Sequence, residues 1–284
     1  MRVTGSSIVL IALILICVRP AEPTTVTSKT LQAWNESIQQ TRNELAEESC
    51  ATDRFLLIDR QPNKVAKIQS GEILAFHGPH GGLLPIPSGL IHHWIGTVFI
   101  PNASAANTVR VLQDYDSYAE IYKPAVTRSK LLTRKSDEFT YRLQFAEKGF
   151  GLKAGLLGDF RSKYYRLNST TGYTITESTS LSELANPGTP DERIVPLAAS
   201  RGYVEGVFTI VRYREATGGL YVEIETLTLS RDIPASVRWM VSPLVQRFSR
   251  QVMTGTLDHF RNQVIASRTY ESASRKDATL PLGR

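Results

Sequence analysis

Residues 204–230 read VEGVFTIVRYREATGGLYVEIETLTLS, and the periodicity of this stretch decides what kind of fold the chain can adopt. Two runs rich in Val, Ile, Tyr, Phe and Thr flank the turn Ala216-Thr-Gly-Gly219. Such residues suit a pleated, half-buried surface, and a short Gly-containing break between two such runs specifies a hairpin. In the second run Leu220, Val222 and Ile224 alternate with Tyr221, Glu223 and Glu225. This predicts one face turned inward and the other, with its two carboxylates, in water. An antiparallel sheet of this kind needs a cover for its apolar face.

The cover follows in sequence. Pro234 opens a short turn carrying Val237, Trp239 and Met240, and Ser242-Pro243 has the form of an N-cap followed by a first-turn proline. Leu244, Val245, Phe248, Val252, Thr256 and His259 then fall along one face, predicting a long amphipathic helix to about Val264 and a polar tail beyond Ser267. Working upstream, Phe139, Tyr141, Leu143 and Phe145 alternate with Thr140, Arg142, Gln144 and Ala146 as a half-buried strand. Further strands are expected over 91–100, 126–132, 158–168 and 173–181. Ser104 caps a short helix to Leu112, which Asp114-Tyr115-Asp116 breaks. A second helical piece over 117–122 stops before Pro124.

The first ninety residues are built differently. Arg2 precedes an unbroken apolar run, Ile8 to Val18, too short to cross about 30 Å of hydrocarbon as an ordinary helix. It reads as a secretory signal over residues 1–21, with Cys17 allowing a lipoprotein or anchored form, and predicts an exported protein. Leu31, Trp34, Ile38 and Leu45 make the stripe of an amphipathic helix over 30–48, with Thr30 as its N-cap. A short strand is expected at 55–58, an apolar segment at 72–76, and a loop over 80–89 that Gly and Pro keep from being helical. The extension thus runs from 22 to 89, the main domain from 90 to 266 and a flexible tail from 267 to 284. The expected class is α+β: a curved antiparallel sheet wrapped around a long C-terminal helix, with an extra N-terminal helix.

This order resembles the helix-grip fold of the START-like, or SRPBCC, superfamily, which includes steroid-transfer domains, coenzyme Q-binding proteins and polyketide cyclases. Val111-Leu-Gln-Asp-Tyr-Asp-Ser-Tyr-Ala-Glu-Ile-Tyr122 followed by Pro124 looks like that family's helix-to-strand passage. Ser230-Arg-Asp-Ile-Pro234 with Trp239 resembles the entry to its final helix. The resemblance spans about Leu90 to Val264 and rests more on topology than on any signature. By alternation alone, Tyr141, Leu143, Phe145, Phe208, Ile210, Val222, Ile224, Leu244, Phe248 and Val252 are inward residues of an ordinary core. The resemblance turns that core into a ligand cavity, with Tyr173, Arg212 and His259 as polar groups that orient a largely apolar ligand.

Other residue patterns narrow the function. The net charge of +6 falls to +4 without residues 1–21, and it is too dispersed for nucleic acid. Arg128, Lys130, Arg134 and Lys135 are the densest basic patch and read as a solvated strand end. With only Cys17 and Cys50, neither a disulfide framework nor a cysteine-ligated zinc site is possible. His92 and His93, adjacent on a strand, point to opposite faces and cannot share a metal. Asp114/Asp116 read as capping groups and Glu223/Glu225 as solvated. His259 is a candidate general base or, more simply, a hydrogen-bonded core histidine. The expected function is therefore binding or transport of a hydrophobic small molecule, such as a lipid, quinone or aromatic polyketide-like compound, with no cofactor and no catalytic residue named. Contact with a membrane surface is allowed. A cyclase or aromatase is the enzymatic alternative. A protein-interaction module using an exposed Leu31-Trp34-Ile38 stripe is the other.

Overall fold

The computed structural model describes residues 26–51, 53–149, 152–201, 204–231, 247 and 249–267. Among the described residues, ten strands form one curved antiparallel sheet. They are β1 (Leu74–His77), β2 (Leu83–Ile86), β3 (Gly89–Pro101), β4 (Val126–Lys135), β5 (Glu138–Gly149), β6 (Leu152–Arg166), β7 (Thr171–Ala185), β8 (Arg193–Ile194), β9 (Gly206–Ala216) and β10 (Gly219–Arg231). The order across the sheet is β1-β3-β10-β9-β7-β6-β5-β4, with β2 also beside β3 and β8 beside β7. Helices α1 (Ser28–Ser49), α2 (Pro62–Gln69), α3 (Ala105–Leu112) and α4 (Tyr118–Ile121) precede the final helix α5, described at 247 and over 249–267. The expected hairpin is β9–β10, whose register pairs Ala216 with Gly219 and Val211 with Ile224.

Both faces of the sheet are covered, which explains why β3 and β10 are buried along almost their whole length. On the inner face α3, α4 and α5 pack against Trp94, Val98, Phe139, Tyr141, Leu156, Val211 and Val222. On the outer face Trp34 and Leu45 of α1 pack on Ile91, Ile175, Phe208, Ile210, Leu227 and Leu229. Phe55, Leu56, Ile58 and Ile68 cover Phe99 and Tyr221 beside them. The cap of α1 is Thr27, not Thr30: each hydroxyl of the pair accepts the other's amide in a capping box, and Thr30 Oγ1 also donates to the Pro87 carbonyl at 2.7 Å.

Two local expectations change. Residues 55–58 are not a strand; the chain turns there into a 3₁₀ segment, Leu57–Arg60, because the Leu57 amide is taken by the Glu223 carboxylate instead of a neighbouring strand. Residues 80–89 are not simply loop. Pro79–Gly82 is a 3₁₀ turn in which Gly81 and Gly82 adopt φ of +68° and +81°, and β2 follows with Pro85 on a strand paired along β3.

Two contacts of the inner helix fix its seat. Asn107, capped into α3 by Ser104, donates from Nδ2 to the Val264 carbonyl of α5 at 3.1 Å. The other point is Gly96 on β3. A Cβ there would lie 2.5 Å from Met253 Cγ and 2.7 Å from Leu257 Cδ1. Met253, Leu257, Phe260 and Val264 form the deeply buried stripe of α5. That stripe lies one residue, about 100° of rotation, from the expected Val252–Thr256–His259 line. Leu244 and Phe248 lie outside the described residues. Gly96→Val is expected to destabilise the fold by about 1–3 kcal/mol through overpacking against α5. An unchanged urea midpoint would show that α5 does not need the missing side chain.

Candidate functional site

Between the inner sheet face and α5 lies a cavity of about 240 Å³. Its floor is made by β3, β5, β6, β7, β9 and β10, which contribute Trp94, Tyr141, Leu143, Phe145, Phe160, Val211, Val222 and Ile224 among others. Val252, Met253 and Phe260 of α5 roof it, and Tyr115, Tyr118 and Tyr122 close one side. None of the described lining residues is charged. Serine and threonine hydroxyls, the phenols and the Trp94 indole are its polar groups.

The phenols form one packed assembly. Tyr115 stacks on Tyr141 with centroids 3.9 Å apart, and Tyr141 stacks on Phe160 at 5.6 Å. The Tyr115 and Tyr164 hydroxyls are 2.7 Å apart, and both Tyr118 and Tyr164 donate to the Leu112 carbonyl, at 2.6 and 2.9 Å. Burial pushes the pKa of Tyr115, Tyr118, Tyr122, Tyr141 and Tyr164 above the ordinary phenol value, so the wall stays neutral at physiological pH.

Of the residues expected to meet the ligand, the structure brings Tyr141, Leu143, Phe145, Val222, Ile224 and Val252 together around the cavity. Tyr173, Phe208, Ile210 and Arg212 are on the outer face instead. The hairpin register pairs Val222 with Tyr213 and Ile224 with Val211, so the inner residues of β9 are Val207, Thr209, Val211 and Tyr213. Phe208 and Ile210 are completely buried under α1, and Tyr173 stacks on Tyr165 there. His259 does not line the cavity; its Nδ1 donates to the Gly255 carbonyl one turn back, at 2.8 Å. Trp94, Phe160 and the lining hydroxyls are site residues that the sequence pattern did not mark. The hydroxyls left a signal in the period-two pairs Thr174/Thr176 and Thr226/Thr228.

The outer face holds the buried charges. Arg212, 3% exposed, bonds Glu225 at 2.7 Å, Glu223 at 3.4 Å and Glu48 of α1 at 3.1 Å. Glu225 is also 2.8 Å from His93, and Glu223 accepts from the Leu57 amide at 2.8 Å and from Thr97 at 3.0 Å. Arg214 pairs with Asp59, and Arg42 with Glu177, beside them. The two glutamates expected in water are therefore buried, since the N-terminal segment supplies cover and partners that the strand alone does not reveal. Burial opposes ionisation of both. At Glu223 it prevails over Arg212 and Thr97 and raises the pKa to about 7. At Glu225 the hydrogen bond to His93 and the Arg212 charge outweigh it, lowering the pKa to about 2. His92, on the inner side of β3, has its Nε2 2.9 Å from the Ser230 hydroxyl, and burial lowers its pKa to about 4.

No protein-family model and no curated protein matches the sequence. Among solved structures, the chain is similar to a STAR-related lipid transfer protein fragment from Xanthomonas axonopodis, at 15% identity and TM-score 0.44, covering 68% of this chain and 98% of that one. It is similar to a protein of Thermus thermophilus at 16% identity and TM-score 0.43, covering 61% and 97%. It is also similar to the Zhui aromatase/cyclase of a Streptomyces species, at 16% and TM-score 0.39, covering 61% and 96%. The fold is a helix grip, with a helix laid along the inner face of a curved antiparallel sheet. The strand order and the helix laid on the inner face define that helix grip. α1 and α2 add a second layer on its outer side.

The glutamate pair predicts a stability profile. Between pH 4.5 and about 7 the folded chain keeps the Glu223 proton that the unfolded chain has released, so stability falls as pH rises. From pH 4.5 down to about 2 the unfolded chain takes up a proton that Glu225 resists, so stability falls as pH drops. His92, with its pKa lowered from 6.5 to about 4, works against Glu223 by making stability rise with pH over that window. The comparison with Glu223→Gln isolates the glutamate. Relative to the variant, the wild-type urea midpoint should lose ground from pH 5 to pH 7. Parallel pH profiles would contradict the assignment.

Proposed function

We propose that the chain binds and carries an uncharged, largely apolar small molecule in the cavity between the sheet and α5. The observation that supports this most is the lining: aromatic and aliphatic groups with neutral hydroxyls and no charged side chain among the described residues. A charged ligand group would lose its hydration there without gaining a counter-ion, a cost that binding cannot easily offset.

The cyclase or aromatase alternative needs a positioned proton donor or acceptor near neutral pH. Burial moves the pKa of the lining phenols further above neutrality, His259 is turned to the helix backbone, and the buried glutamates lie across the sheet. The interaction-module alternative needs a free α1 stripe. Trp34 is buried, Ile38 is partly buried and packed on the outer face, and Leu31 alone of the three is exposed. Export, through the basic and apolar N-terminus, belongs to the same proposal and would place the carrier outside the cytoplasm.

Native and denaturing mass spectrometry of the gently purified protein tests the reading. A near-stoichiometric uncharged apolar compound is expected. Val252→Trp, which fills the space from the roof, should reduce its retention by about tenfold or more, while circular dichroism stays native. Retention unaffected by Val252→Trp would place the ligand elsewhere.

A further inference from the structure

Four hydroxyls stand side by side across the cavity floor. Strand pairing sets Ser162 of β6 opposite Thr176 of β7, Thr176 opposite Thr209 of β9, and Thr209 opposite Thr226 of β10. The next residue on the same line is Trp94 of β3, opposite Thr226. All five line the cavity. Neighbours in such a row are separated by the interstrand spacing, roughly 5 Å. Threonine suits strands in general. What distinguishes these residues is a single register line on the inner face, continued without a break across four adjacent strands, whereas Thr174 and Thr228 line the same space off that line.

The hydrogen-bond accounting leaves this row incomplete. Ser162 and Thr176 are paired at 2.5 Å, and Thr209 and Thr226 at 3.0 Å, with longer contacts from Ser162 to the Tyr141 hydroxyl at 3.3 Å and from Thr226 to the Phe208 carbonyl at 3.4 Å. Each hydroxyl has one proton and two lone pairs, so each pair retains capacity toward the cavity. Trp94, 1% exposed, has an indole N–H with no partner among the described residues. Ser249, 3% exposed on α5, has a hydroxyl in the same condition. A buried donor left unpaired is costly, and an indole can only donate. The group that satisfies it must be an acceptor.

We infer that this row is a hydrogen-bonding rail that selects a neutral ligand bearing a carbonyl or hydroxyl oxygen along an otherwise apolar body. Trp94 supplies the obligatory donor, and the threonines adapt to either kind of oxygen. The inference rests on the binding function proposed above. It excludes pure hydrocarbons, which leave the rail unpaired, and carboxylates, whose charge the lining does not balance.

The test compares pyrene, 1-acetylpyrene and pyrene-1-carboxylate by fluorescence titration of the full chain. 1-Acetylpyrene should bind about tenfold more tightly than either of the others. In Thr209→Val/Thr226→Val, and separately in Trp94→Phe, the ratio of its affinity to that of pyrene should shrink to about twofold or less, while circular dichroism reports a native fold. Equal affinity of the wild type for pyrene and 1-acetylpyrene would overturn the rail and leave the carrier reading standing. Failure of all three probes to bind would overturn both.

Discussion

A helix laid over a curved sheet cannot follow it everywhere, and the site depends on where contact is made. α5 comes down on β3, where Gly96 has no side chain to keep Met253 and Leu257 away. Its Val264 turn is tied to α3 through Asn107. Away from that seat, the inner faces of β6, β7 and β9 look toward the same helix across open space. Close packing at one strand and separation at the others follow from one geometric mismatch. The cavity is its product, and interior density near that of an organic crystal is restored only if something fills it.

The second feature is the separation of chemistry between the two sheet faces. Arg212, Glu223, Glu225 and His93 are buried on the outer side, with Glu48 and the Leu57 amide supplied by the N-terminal segment. Buried ions contribute little net stability, but removing one partner leaves an uncompensated charge, so such a cluster makes the position of α1 specific. The inner side has neutral phenols and hydroxyls. One sheet thereby holds an ionic clasp on its back and an uncharged ligand space on its front, with alternate residues of β9 and β10 serving each.

Much of the fold was legible because its signals are local. The Ala216–Gly219 turn, the period-two strands, the Ser104 cap and the break after Leu112 are each decided by a few neighbouring residues. Face assignment was harder. In β9 Phe208 and Ile210 are as apolar as Val207 and Val211, so alternation marks two faces without saying which one meets the cavity. Glu223 and Glu225 looked solvated because their partners arrive from Glu48, Leu57 and His93, far away in sequence. The hydroxyl row was invisible for a related reason: Ser162, Thr176, Thr209 and Thr226 are ordinary residues until the register of four strands brings them into line. Tyr115, Tyr118 and Tyr122 were legible as a motif, but their place in the wall depends on α4 folding back against β4, where the Ala119 amide donates to the Ser129 hydroxyl.

The central claim is that α5 and the sheet enclose an apolar space able to admit a guest. Diffraction from crystals of ligand-stripped protein under xenon pressure tests it most directly, since xenon enters dry apolar cavities. Xenon bound between Phe160, Val222 and Met253 is the expected result. No xenon, with the space closed by those side chains or filled by ordered water, would contradict the claim.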